Sequence, residues 1–197
     1  MRKIDHVVFH HGAGADYDMD QALKVYQDTH HKNLYKTYNQ PRIPHSKYPD
    51  IAYHIIVAKD KWDIVRPFEI EAYHASDRRI NRRSLGICIT GNYDNQTLSQ
   101  EKYTMLCQAI AYIKHNYPAV TTWSCHRKYA NKTCPGINIT DHLLKKAWNG
   151  EPMPSDTKRS KQMIAEVVEV LDRYPKEGVN IKKALVQAML QHVKSQK

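Results

Sequence analysis

Short apolar runs and helical periodicities alternate along the first three quarters of the chain. Residues 4–10 form a brief run, β-branched at Val7 and Val8, that ends in a histidine pair and predicts a buried strand. A glycine-rich loop over 12–16 follows. Asp18 then caps a predicted helix over 19–31, with Ala22, Leu23, Tyr26 and either Thr29 or His30 facing inward. Residues 33–50 are polar and rich in Tyr and Lys, with Pro41, Pro44 and Pro49 breaking any regular element. Loops of this kind near a strand end often border a substrate cleft. A second strand is expected over 51–58, and Lys59, Asp60 and Lys61 make a tight hairpin turn into a third over 62–66. Residues 67–83 read as loop and carry His74 and Asn81. Residues 85–90 suit a central strand ended by Gly91. Ser99 caps a long helix over 100–116, with Tyr103, Leu106, Cys107, Ile110 and Ile113 at helical spacing. A last strand over 120–124 delivers His126, and Thr140 or Asp141 caps a short helix holding Leu143, Leu144 and Trp148.

Strands alternating with helices predict an α/β fold, a mixed central β-sheet flanked by helices. This domain is expected over 1–148. Residues 149–156, with Gly150, Pro152 and Pro154, read as a linker. Beyond it, 157–197 predict a small C-terminal two-helix extension: amphipathic helices over 157–173 and 181–194. From 155 to 197 the chain carries nine Lys/Arg against five Asp/Glu, so the extension is basic. Some 40 residues in two helices bury too little surface to be stable alone, so they must dock, self-associate or meet a partner.

The richest chemistry lies between Trp123 and Gly136. His126 and Cys134 stand eight positions apart, with Lys132 two positions before the thiol. Imidazole and thiolate are both good zinc donors, and a loop of this length can turn both onto one ion. A third donor must come from elsewhere, and the His10–His11 pair is the obvious supplier. Strand alternation sends those two side chains to opposite faces, so both cannot readily reach one ion. Three protein donors leave a fourth tetrahedral position open, which distinguishes a catalytic zinc from a structural one. Cys88 and Cys107 read as small core residues.

Four pieces of the chain, in order and at matching spacing, resemble the type 2 N-acetylmuramoyl-L-alanine amidases, the family of phage endolysins and peptidoglycan recognition proteins. They are Val8-Phe9-His10-His11, Ala52-Tyr53-His54-Ile55-Ile56, Ser84-Leu85-Gly86-Ile87-Cys88-Ile89-Thr90-Gly91, and the stretch from His126 to Cys134-Pro135-Gly136. The resemblance spans about residues 4–148. It implies one catalytic Zn2+ held by His10, His126 and Cys134, and prefers Cys134 over Cys125 as the sulfur ligand. It implies catalytic roles for Tyr53 and Lys132: the ammonium would stabilise a tetrahedral oxyanion, and the phenol would orient water or take its proton. It also implies that His74 and Asn81 line the substrate groove. His54 is read as structural. The implied reaction is hydrolysis of the amide between the lactyl group of N-acetylmuramic acid and L-alanine in peptidoglycan.

Charge and targeting signals refine this expectation. The net charge of +10 points to an anionic partner, and bacterial cell wall is a polyanion as nucleic acid is. No nucleic-acid motif is present, and the spacing between His126 and Cys134 is not that of a zinc finger, so no stable nucleic-acid partner is expected. No apolar run approaches the ~20 residues that span a bilayer. The N-terminus has basic residues without an apolar segment or cleavage site, which predicts cytoplasmic synthesis. A basic, unsecreted version with a helical tail looks most like a phage endolysin, reaching the wall or periplasm once the membrane is opened. The expected state is a monomer whose C-terminal helices meet an anionic wall polymer or outer-membrane surface. The competing readings are a non-catalytic peptidoglycan-binding module, a polymerase- or nucleic-acid-binding regulator, and an amidase that recycles soluble muropeptides.

Overall fold

A computed structural model of the chain describes residues 2–31 and 50–153. The chain divides into two compact units, Met1–Met153 and Pro154–Lys197. The loop expected over 33–50 (except Asp50) and the helices expected over 157–197 lie outside the described residues. Among the described residues, no helix is long and apolar enough to cross a membrane.

Five strands form one sheet: β1 (His6–His11), β2 (Ile55–Val57), β3 (Trp62–Ile64), β4 (Ser84–Ile89) and β5 (Thr122–Cys125), in the order β3-β2-β4-β1-β5. β1 pairs in parallel with β4 on one side and β5 on the other, β2 is parallel to β4, and only β3 runs antiparallel at the edge. The expected mixed sheet with flanking helices is therefore the observed fold. The β2–β3 turn closes with Ala58 N–H donating to the Lys61 carbonyl at 2.8 Å, as the short polar turn predicts.

Alternation along the strands builds two cores. On one face Val7, Phe9, Ile55, Val57, Leu85, Ile87 and Ile89 meet α3 (Gln100–Asn116) and α4 (Asp141–Asn149) through Leu106, Ile110, Ile113 and Leu144. On the other face Ile56 and Cys88 pack against Met19, Ala22, Leu23 and Tyr26 of α1 (Met19–His30). Caps fix where these helices start. Asp18 forms a capping box with Gln21, Ser99 accepts from Lys102 N–H, and Thr140 accepts from Leu143 N–H. Gly150, at φ +70°, ends α4 in the left-handed conformation that glycine adopts without strain.

Several expectations shift in detail. The 67–83 segment is not all loop: Asp77 caps α2 (Arg78–Asn81), whose single turn is too short to leave a periodic signature. The regular part of β2 is three residues, because Ile51 and Ala52 pack as buried loop residues before the ladder begins. β5 starts at Thr122 rather than 120, since Val120 N–H is already committed to a turn with the Tyr117 carbonyl. Thr29 is exposed and His30 half-buried, so His30 is the inward residue of the two. In α3 Cys107 is only half-buried, and Ala109 completes the fully buried stripe.

All three tryptophans, Trp62, Trp123 and Trp148, lie in the first unit, so their fluorescence reports its unfolding. In urea melts read this way, Ile110→Ala should lose about 2–5 kcal/mol of stability through a cavity on the α3 face. Thr140→Ala should lose about 1 kcal/mol through the lost cap. Equal effects would mean that α3 does not anchor the core.

Candidate metal centre

His10 is the fifth residue of β1 and is fully buried, on the face opposite Phe9. The register sets Phe9 beside Cys125 at the end of β5, and the chain then turns through a short 3-10 helix, His126–Lys128. That turn brings the His126 ring to 4.6 Å from the His10 ring, centroid to centroid. The following loop returns Cys134 to the same place, its Sγ 3.9 Å from His10 Nδ1. One donor atom from each of His10, His126 and Cys134 lies within 4.8 Å of the others. The cluster sits at the carboxyl ends of parallel strands, where open α/β sheets bind ligands.

The chemistry of these donors fits a soft divalent ion such as zinc. His126 Nε2 is buried without a hydrogen-bond partner, a costly state for an imidazole nitrogen unless something coordinates it. Burial, reinforced by the Lys132 charge, lowers the His126 pKa to about 4, and burial holds His10 well below its ordinary value. Both rings are therefore neutral at pH 7, the form that ligates metal. Burial pushes the Cys134 thiol up to about 11, while the His11 N–H at 3.4 Å pulls the other way. The thiol must then lose its proton as an ion binds.

The loop that carries Cys134 is held from two sides. Arg127 N–H donates to the Cys134 carbonyl at 2.8 Å, and the Arg127 guanidinium pairs with Asp141 and reaches the Ile139 carbonyl at 3.4 Å. Across from it, Asp94 accepts from the Thr133 hydroxyl at 2.8 Å and from Ile137 N–H at 3.1 Å. Gly136 packs against this second clamp at φ +103°, where a Cβ would lie 2.5 Å from the Tyr93 carbonyl carbon. Only glycine fits there.

Tyr53 stands beside the donors, its ring 5.1 Å from His10 and edge-on to His30 at 5.2 Å. Burial, with the Cys88 and Cys134 thiols nearby, raises its pKa well above the ordinary phenol value. Lys132 is exposed at the rim and, with Arg127, Thr133, Ile137, Thr140 and Asp141, lines an open groove of ≈460 Å³.

His74 and Asn81, expected in the groove, are instead buried. His74 Nδ1 lies 3.0 Å from His10 Nε2, on the side of His10 away from Cys134, and its own Nε2 lies 3.1 Å from Ser84 Oγ. Asn81 spends its amide on both backbone groups of Ala75, accepting from N–H at 2.9 Å and donating to the carbonyl at 2.8 Å. Both hold the wall behind the donors rather than the groove. His11 turns to the other face, where Nδ1 accepts from Tyr93 N–H at 3.2 Å. His54 is buried, its Nδ1 accepting from Gly86 N–H at 3.0 Å. Cys125 donates to Asp141 at 3.4 Å and stays outside the cluster.

The fold and the cluster define a mixed-sheet α/β protein with a His–His–Cys donor set at its parallel strand ends. The family model described as N-acetylmuramoyl-L-alanine amidase matches residues 1–137, and the chain belongs to that family. Among solved structures the fold is similar to the N-acetylmuramoyl-L-alanine amidase LysC of Clostridium intestinale (22% identity, 76% of this chain and 87% of that chain, TM-score 0.58). It is also similar to an endolysin of a Thermus scotoductus bacteriophage (22% identity, 75% and 86%, TM-score 0.57). Drosophila PGRP-LB shares it as well (18% identity, 79% and 87%, TM-score 0.57). No curated protein matches the chain.

Buried neutral imidazoles set the acid limit of the metal-free fold. Burial lowers His6, which bridges Thr122 and Ser124 at 2.7 and 2.8 Å, to about 4, and His74 to about 3. The unfolded rings titrate near 6.5, so between these values the unfolded chain binds more protons. This stability is complete above pH 6.5 and is lost as pH falls through 4, a change on the order of a few kcal/mol. Melting temperature measured from pH 7.5 to 4 in chelator should fall steeply; a flat profile would mean these rings are already charged in the fold.

Proposed function

We propose that this chain is a zinc-dependent N-acetylmuramoyl-L-alanine amidase that cleaves the amide between N-acetylmuramic acid and L-alanine of peptidoglycan, and that it serves as a phage endolysin. The observation that carries the proposal is the convergence of His10, His126 and Cys134, with one buried imidazole nitrogen left without a partner. A zinc ion held by one thiolate and two imidazoles supplies Lewis acidity: it makes water nucleophilic near neutral pH and polarises a carbonyl oxygen.

The surrounding side chains suit the rest of the reaction. The groove beside Lys132 is open to solvent, as a polymeric substrate requires. Lys132 supplies positive charge toward the oxygen that becomes negative as the amide is attacked. Tyr53, held protonated by burial, is a hydrogen-bond donor and orienting group rather than a base at neutral pH. The +10 net charge suits an anionic wall, and endolysins stand among the similar structures. A PGRP-LB variant has been seen in complex with tracheal cytotoxin, which shows that this fold can serve recognition as well as lysis. In this proposal residues 157–197 form a basic targeting extension joined by a linker over 149–156, and the enzyme is made in the cytoplasm and meets the wall after membrane opening.

Purified sacculi should clear with the wild-type chain, release new L-alanine amino termini, and stop clearing with chelator or Cys134→Ser. Lys132→Ala should keep its zinc and lose about 100- to 1000-fold in kcat. Clearing that ignores the chelator would overturn the mechanism, and binding without clearing would make the chain a recognition module. Truncation after Met153 should keep activity on soluble muropeptides and lose it on whole cells; undiminished lysis of cells would remove the targeting role.

A further inference from the structure

We propose that His74 is a positioning residue that fixes the tautomer of His10, through a directed hydrogen-bond chain anchored on the Ile80 carbonyl. This rests on the zinc reading above for its purpose, but the chain itself is drawn from the metal-free geometry.

The direction follows from the far end. The Ile80 carbonyl can only accept, and the Ser84 hydroxyl lies 2.6 Å from it. Ser84 has one proton and gives it to that carbonyl, so toward His74 its Oγ offers only a lone pair. His74 Nε2, at 3.1 Å, must then carry the proton. A neutral imidazole protonated at Nε2 has its lone pair at Nδ1. That lone pair faces His10 Nε2 at 3.0 Å, so His10 Nε2 is the donor. His10 Nδ1 is thereby left bare, and Nδ1 is the atom 3.9 Å from Cys134 Sγ. The opposite tautomer of His10 would set two lone pairs against each other at 3.0 Å in a buried site, which is costly.

The surroundings hold this chain in place. Gly86 has no Cβ, and one built there would lie 2.6 Å from His74 Cγ, so glycine is what lets the ring lie on β4. Asn81 pins Ala75, the next residue, through both of its backbone groups. α2 brings Ile80 within reach of Ser84, and the His74 ring meets His10 edge-on at 5.1 Å and 83°. A metal-binding imidazole commonly gives its other N–H to a carbonyl or carboxylate; here a histidine and a serine relay that demand to a backbone carbonyl.

The test uses the full-length chain. In the metal-free protein, long-range proton–nitrogen NMR correlations of the two rings should show the proton on Nε2 of both His10 and His74. A proton on Nδ1 of either ring would overturn the proposal, whether or not zinc binds. Zinc affinity, measured by competition with a chromophoric chelator, should fall by about 10–100-fold in His74→Phe, which keeps the ring volume and removes the nitrogens. His74→Asn, whose amide oxygen can accept from His10, should recover most of that loss, a rescue that ring packing alone would not give. Gly86→Ala should weaken zinc by displacing the ring. Unchanged affinity in His74→Phe would overturn the proposal. A wild-type chain that binds no zinc would instead sink the metal reading, and the NMR result would still decide the tautomer.

Discussion

Parallel pairing of β1 with both β4 and β5 is the constraint on which the rest of the molecule depends. It fixes three strands with their carboxyl ends together, so that whatever follows or terminates them converges. The register on β5 is what matters chemically: Phe9 opposite Cys125 means that the first residue past β5, His126, emerges beside His10. A slip of one residue would turn His10 into the α3 core and His11 toward the loop, because side chains alternate along a strand. The apolar residues Val7 and Phe9 hold the register by filling the face that α3 and α4 cover. Burial of ordinary hydrophobic surface therefore places the imidazoles.

The electrostatics of the site follow from the same burial. His10, His74 and His126 are packed together where a charge would be poorly solvated, and each is held neutral. Neutral imidazoles are ligands and hydrogen-bond relays, whereas protonated ones are neither. The thiol is treated differently, with the His11 N–H and the Lys132 and Arg127 charges partly opposing its burial. An uncharged pocket beside a cationic rim is a plausible match in charge for an anionic polymer undergoing amide hydrolysis at its surface.

The loop from His126 to Gly136 has little regular structure, yet it must hold Cys134 steadily. It does so through side chains acting on backbone: Arg127 with Asp141 on one side, and Asp94 on the other. Gly136 closes the arrangement against Tyr93. The sulfur donor is thus preorganised by a polar network rather than by a sheet or helix, which keeps the groove beside Lys132 open.

Much of this was legible in the chain alone, because it depends on local chemistry. Alternation in 6–11, the caps at Asp18, Ser99 and Thr140, and the helical spacing of Leu106, Ile110 and Ile113 each follow from rules that act within a few residues. His126 and Cys134 stood out for the same reason: a soft donor pair at loop-closing distance. The α2 turn was not legible, since four residues carry no period. Nor were the positions of His74 and Asn81, whose residue types suggest a polar groove when taken singly. Their burial is decided by β4, where Gly86 leaves room for a ring and Ser84 offers a hydroxyl, and by α2, which brings up the Ile80 carbonyl. Sequence determined which groups can donate, accept or ligate; tertiary structure decided which of them meet, because hydrogen-bond direction and burial are properties of the assembled neighbourhood and of no single residue.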